Sequence, residues 1–223
     1  MGKLFNLDSP FVQFMSRVAD LMWLNILFLV CCIPLITIGD SITAMYYVTL
    51  KMARNEESYI TRSFFKSFRQ NFLQATVIWL IFVLGGGLLL FDYRIISGAA
   101  GVSVGNGMLL NVMKVLLIVV LIFYTFTFIF VFPLLSKFDN TIKNTIKNAF
   151  IISIRHLPVT LTCVAIGLVA VLGLAYVRIM TLFLFFLLFS AVAYICSLMF
   201  VKVFDNYLPA EETAEEEIEE AEQ

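Results

Sequence analysis

The sequence predicts an all-α protein, a polytopic transmembrane bundle of five spans with a further short or re-entrant limb after Pro34. Three observations predict it. Of 223 residues, 61% are hydrophobic and only 14% charged, with 23 Phe, against about 45–50% and 25% in soluble domains. The mean hydropathy is +0.96. Charge-free runs of 19 to 23 residues fall at 21–39, 70–91, 115–136, 157–177 and 179–201, each close to the ~20 residues that cross a ~30 Å hydrocarbon core as a helix. A soluble core of this size cannot hide so much apolar surface. The same composition excludes a disordered chain and a disulfide-stapled secreted domain.

The runs are apolar all round rather than alternating, so they read as helices and not barrel strands. Ser9-Pro10 reads as N-cap and first helical position of the first element, with Arg17 and Asp20 at i,i+3 near the interface. That helix bends or ends near Pro34, whose ring and missing N–H break the ladder. Thr37-Ile38-Gly39-Asp40 is turn-like, and Ser41–Leu50 forms a shorter limb. Gly85-Gly86-Gly87 in the second run permits close packing or a kink. The outer loop 92–114 holds four glycines and reads as a turn-rich connector. A turn near Tyr176–Thr181, with Arg178 at the surface, separates the last two runs.

Lys and Arg mark the cytoplasmic side. With five plain spans the basic residues divide ten to five; with residues 10–53 as a two-limbed hairpin they divide twelve to three. The hairpin fits the charge rule better, and both topologies place 54–69, 137–156 and the C-terminus in the cytoplasm. Domain organisation is a helical membrane domain over 1–204 and an acidic tail over 205–223, where nine of the sixteen acids lie, eight of them Glu within 211–222. Such a like-charged block is expected to be disordered. The apolar run begins too late for a secretory signal, and Asn6 breaks the myristoylation pattern.

Two loops have a basic amphipathic pattern. In 61–73, Phe64, Phe68 and Phe72 recur every four residues, with Arg62, Lys66 and Arg69 largely off that stripe. In 140–150, a tandem Asn-Thr-Ile-Lys places Lys143 and Lys147 at i,i+4. Both read as surface-lying helices on anionic lipid or, more sharply, as a cytoplasmic docking surface. Pro34-Leu35 and Pro133-Leu134 form a faint internal echo, each ending a span before a basic stretch.

No catalytic constellation stands out. The lone His156 beside Arg155 reads as a headgroup contact. The four cysteines lie in apolar runs without CxxC spacing and behave as small hydrophobes. No HExxH, GxSxG or phosphate loop occurs, so neither an enzyme nor a metal or cofactor is expected. Nucleic acid is excluded as a partner because the basic residues sit in short membrane-flanking loops. The most function-like group is the Pro-broken stretch holding Asn25, Pro34, Thr37, Gly39, Asp40 and Thr43, since a broken helix exposes backbone groups that protein, water or substrate must satisfy.

Several stretches resemble the YesL-like family of small bacterial integral membrane proteins. They are Asn25, the Ile33-Pro34-Leu35-Ile36-Thr37-Ile38-Gly39 run, Ala44-Met45-Tyr46-Tyr47, Phe64-Phe65-Lys66-Ser67-Phe68, Asn71-Phe72, Phe132-Pro133-Leu134-Leu135, and Lys147-Asn148-Ala149 through His156-Leu157-Pro158. Asp40 departs from the pattern, in which a small or uncharged residue follows the glycine. The resemblance covers all but the acidic tail. It implies an all-helical domain in a bacterial cell membrane and an association with carbohydrate uptake, through a permease or receptor, and it supplies no catalytic residues. The function expected is a non-enzymatic accessory or regulatory membrane protein. The alternative is a small transporter with its substrate near the Pro34 break.

Overall fold

Pro10 opens the first helix, α1 (Pro10–Cys31), in the computed structural model, which describes residues 10–56, 59–97, 108–176 and 181–207. The helix stops three residues before Pro34, as the ring requires. A short 3-10 turn, Leu35–Thr37, follows, and α2 (Ile38–Ala53) runs back alongside α1. The remaining helices are α3 (Ile60–Ile96), α4 (Met108–Lys137), α5 (Ile142–Arg155), α6 (Leu157–Tyr176) and α7 (Thr181–Phe204), and a 3-10 turn covers Asp205–Tyr207. No strand occurs among the described residues. Among the described residues, four helices are long and apolar enough to cross a membrane, or five if the bent pair α5–α6 counts as one span. The chain is therefore an all-α, polytopic helical bundle.

The short limb α2 is the centre of the bundle. Its 16 residues reach only ~24 Å at 1.5 Å per residue, short of the ~30 Å core. It is enclosed by α1, α3, α4 and α7 instead. Small residues allow this approach: Gly39 and Ala44 are buried, and a Cβ on Gly39 would stand 2.5 Å from Trp79 Cβ and 2.8 Å from the Ala75 carbonyl oxygen. The buried hydroxyls of α2 find acceptors without water. Ser41 Oγ donates to the Thr37 carbonyl and Thr43 Oγ1 to the Gly39 carbonyl, both at 2.9 Å. Thr49 Oγ1 and Ser197 Oγ on α7 lie 2.8 Å apart. Hydroxyl pairs of this kind tie helices together where no water competes.

Polar contacts define one end of the bundle. Arg17 Nη1 donates to the Met52 carbonyl at 3.0 Å and Nη2 to Asn55 Oδ1 at 2.8 Å. Asn55 itself adopts φ 57°, a left-handed conformation that asparagine tolerates. Arg54 pairs with Asp205, and Arg155 stands over the Tyr207 ring at 5.7 Å. The α1–α2 pair is thus the two-limbed hairpin, with the start of α1, the end of α2 and the end of α7 together. Arg17 reaches across to the α2 turn, where two oxygens accept it.

Several expectations are corrected. Residues 61–73 are not a separate surface-lying helix: they are the first turns of the 37-residue α3. Phe64 is fully buried among the apolar side chains of α1 and α2, which outweighs a headgroup-plane position. Of the two roles expected for Gly85–Gly87, close packing holds: within the continuous α3, Gly86 lies against Tyr124, whose hydroxyl donates to the Phe82 carbonyl. Residues 92–96 and 108–114 of the supposed connector are helical. Pro133 does not end α4 but lies inside it, so the echo with Pro34 does not extend to structure. His156 sits at a 98° bend between α5 and α6 and its Nε2 lies 3.2 Å from the Tyr207 hydroxyl, a contact within the protein. Asp205–Tyr207, assigned to the tail, is a turn packed on the bundle. The proposed turn at Arg178, the loop glycines 98–107 and the acids beyond 207 lie outside the described residues.

Candidate functional site

The six residues grouped around the Pro34 break do not form one cavity. Asn25 is fully buried on α1 and accepts the Ser190 amide N–H of α7 at 3.0 Å. Beside it, Ser190 Oγ donates to the Leu21 carbonyl at 2.7 Å. Thr37 Oγ1 donates to the Cys31 carbonyl at 2.6 Å and to that of Pro34 at 2.8 Å, so it caps the end of α1 that the proline left open. Pro34 is exposed, and Trp79 Nε1 holds the break by donating to the Leu35 carbonyl at 3.0 Å. Gly39 and Thr43 serve helix packing as described above. Asp40 differs: it is fully buried in the first turn of α2, and neither carboxylate oxygen has a hydrogen-bond partner among the described residues.

The pocket beside this region is lined by apolar side chains. A cavity of about 400 Å³ lies between α1, α2, α4, α6 and α7. Its walls include Phe28, Ile42, Phe132, Val171 and Phe189, and it touches neither Asn25 nor Asp40.

The basic residues of α3 line something different. Arg62, Lys66 and Arg69 are exposed and border an open groove of about 1010 Å³ between α1 and the start of α3. Trp23 of α1 and Phe65 of α3 form its aromatic walls, with Tyr59 at its rim. They remain 49%, 40% and 83% exposed. Trp23 Nε1 donates to Thr61 Oγ1 at 2.9 Å and clasps α1 to α3 beneath them. The helical stripe explains the arrangement. Phe64 turns inward and stacks on Phe68 with ring centroids 6.0 Å apart, which leaves residues 62, 65, 66 and 69 outward. A smaller pocket of about 460 Å³ at Arg17, Met52, Asn55 and Glu56 adjoins the groove through Asp20, Tyr59 and Ile60.

Lys143 and Lys147 are exposed on α5, whose Ile142 and Ile146 pack on the core, but they do not line the α1–α3 groove. The expected docking residues therefore occupy two places. Trp23 and Tyr59 escaped sequence reasoning, and Asp20 was read only as an acid near the interface, because only the tertiary approach of α1 to α3 brings them to the groove. An aromatic and an acid spaced i,i+3 near the start of a span was the available signal.

Fold and site together define a multi-pass helical membrane protein with an apolar interior and a basic, aromatic groove at one end. A family model described as a protein of unknown function, DUF624, matches residues 21–93. That stretch runs from the middle of α1 through α2 into α3. It contains the whole Pro34 region and all three groove cations. No curated protein and no solved structure matches the chain.

Proposed function

We propose that this chain is a non-enzymatic accessory protein of a bacterial cell membrane that docks a partner in the groove between α1 and α3, with that end in the cytoplasm. The observation that carries the reading is the groove: two arginines, a lysine, a tryptophan, a tyrosine and a phenylalanine around one concavity. Arg, Trp and Tyr are the side chains that concentrate binding energy at protein interfaces, and an acidic segment on the partner complements the three cations. The basic residues along 51–69, 137–155 and 202 support a cytoplasmic position. The resemblance to the YesL-like family supplies the partner class, a carbohydrate-uptake permease or receptor. Affinity purification in mild detergent is expected to recover such a component with the wild type. An Arg62→Glu/Lys66→Glu/Arg69→Glu variant is expected to lose it. Recovery of lipid alone in several detergents contradicts the proposal.

Asp40 favours a second reading, a small transporter. A fully buried carboxyl group without a partner costs on the order of several kcal/mol, more than the up to ~2 kcal/mol that the N-terminus of α2 returns to an acid in its first turn. Ionisable groups kept at such a cost inside membrane bundles often line a transport path. Reconstituted vesicles test it: this reading expects Asp40→Asn to abolish uptake in a protein that stays folded, and unchanged flux ends it.

A further inference from the structure

The acidic C-terminal segment has a cationic acceptor within reach. The chain leaves the described bundle at Tyr207, and the 16 residues 208–223 that follow carry eight Glu and no Lys or Arg. Their origin lies at the same end of the bundle as the groove, with Tyr207 seated against Arg155 and His156 at the end of α5. Asp205 pairs with Arg54, and the next two residues after Arg54, Asn55 and Glu56, line the small pocket that adjoins the groove through Tyr59 and Ile60. Sixteen residues span up to ~55 Å when extended, about the length of the whole of α3. Reach is therefore no obstacle.

Charge selects the seat. Among the described residues, Arg62, Lys66 and Arg69 make no ion pair, and the groove's own acid is Asp20. Glu56, next along the path, is occupied by Lys51 at 3.6 Å. Lys143 and Lys147 on α5 offer cations too, but outside the groove and without its aromatic walls. The segment also contains Ile218 among its glutamates, an apolar side chain for the Trp23–Phe65 wall.

We propose that the segment 208–223 folds back into the α1–α3 groove, its glutamates on Arg62, Lys66 and Arg69, and so covers the docking surface until a partner displaces it. This regulation rests on the reading of the groove given above. A tethered segment competes at an effective concentration in the millimolar range, so it holds off weak partners while strong ones gain entry. The contact is mostly exposed ion pairing and weakens as salt shortens the screening length from ~8 Å at physiological strength to ~3 Å at 1 M.

Zero-length carbodiimide coupling on the purified full-length protein tests it, with peptide mapping of every Lys–Glu linkage. At low salt the expected main product joins Lys66 to a glutamate of 211–222, at least ~5-fold over Lys143 and Lys147, and it falls by a similar factor in 1 M salt. Arg62→Gln/Arg69→Gln, which leaves Lys66 in place, is expected to lower it as well. Linkages spread evenly over Lys66, Lys143 and Lys147 overturn the proposal. So do linkages formed between copies in a mixture of isotopically labelled and unlabelled protein. No partner takes part in this measurement. A Lys66–tail linkage without any captured partner sinks the accessory reading and not the tail contact; partner capture without the linkage does the reverse.

Discussion

Arg17 of α1 donates to the carbonyl of Met52 of α2 at 3.0 Å, across 35 positions of sequence. One hydrogen bond thereby places the beginning of the first helix and the end of the second at the same end of the bundle. Residues 10–53 are a hairpin, and α2 returns to the side from which α1 set out.

That relationship predicts the sidedness of the chain. In a background without the four cysteines, single cysteines at Asn55 and Asn206, both exposed, are expected to react with an impermeant thiol reagent from one side of the membrane. A cysteine at Ser97, at the far end of α3, is expected to react from the other. Labelling of Asn55 and Ser97 from the same side rules the hairpin out.

Gly39 predicts a packing limit. A methyl group there meets Trp79 Cβ at 2.5 Å and the Ala75 carbonyl oxygen at 2.8 Å, and neither atom is the end of a flexible side chain. Gly39→Ala is expected to cost about 3 kcal/mol, at the upper end of overpacking penalties. Gly167 has nothing within 4 Å of its would-be Cβ, so Gly167→Ala is expected to be neutral or to gain ~0.5–1 kcal/mol of helix propensity. Unfolding midpoints in detergent compare the two. Equal midpoints contradict the close α2–α3 approach.

Asn25 predicts a structural cost. Its side chain bridges α1 to the Ser190 amide of α7 at 3.0 Å, and side-chain hydrogen bonds inside membrane bundles are worth ~0.6 and up to ~1.7 kcal/mol. Asn25→Ala is expected to lower stability by about that amount and to leave partner capture unchanged. Loss of capture at unchanged stability assigns Asn25 to binding instead.

Asp40 predicts the opposite sign. Asparagine keeps its shape and removes a carboxyl group that has no hydrogen-bond partner among the described residues. Asp40→Asn is expected to hold or raise the unfolding midpoint, by up to about 1–3 kcal/mol. A clear loss of stability shows that the carboxylate makes a stabilising interaction in the folded protein.

Much of the helical layout was legible in the residues. Charge-free runs mark the spans, Pro34 marks the break, and the Arg/Lys count singles out the hairpin. Boundaries were less so, because the absence of charge does not end a helix. α3 continues back through Arg69, Lys66 and Arg62 to Ile60, since those side chains turn outward while Phe64 packs inward. Pro133 resembles Pro34 in sequence yet sits within α4, where neighbouring helices hold the chain on course. The site was half legible. The three cations of α3 follow from the Phe64–Phe68–Phe72 period, but Trp23 and Tyr59 reach the groove only through the Trp23–Thr61 clasp between distant segments. The i,i+3 spacing of Asp20 and Trp23 was the local hint of it.

The claim that the α1–α3 groove receives a protein is tested most directly by a photo-crosslinking amino acid at Phe65, in living cells, with the same probe at Leu84 as the lipid-facing control. Phe65 is 40% exposed and lines the groove, while Leu84 is 68% exposed on the apolar part of α3. A discrete protein adduct is expected at Phe65, containing an uptake permease or receptor, and none at Leu84. Lipid adducts alone at both positions contradict it.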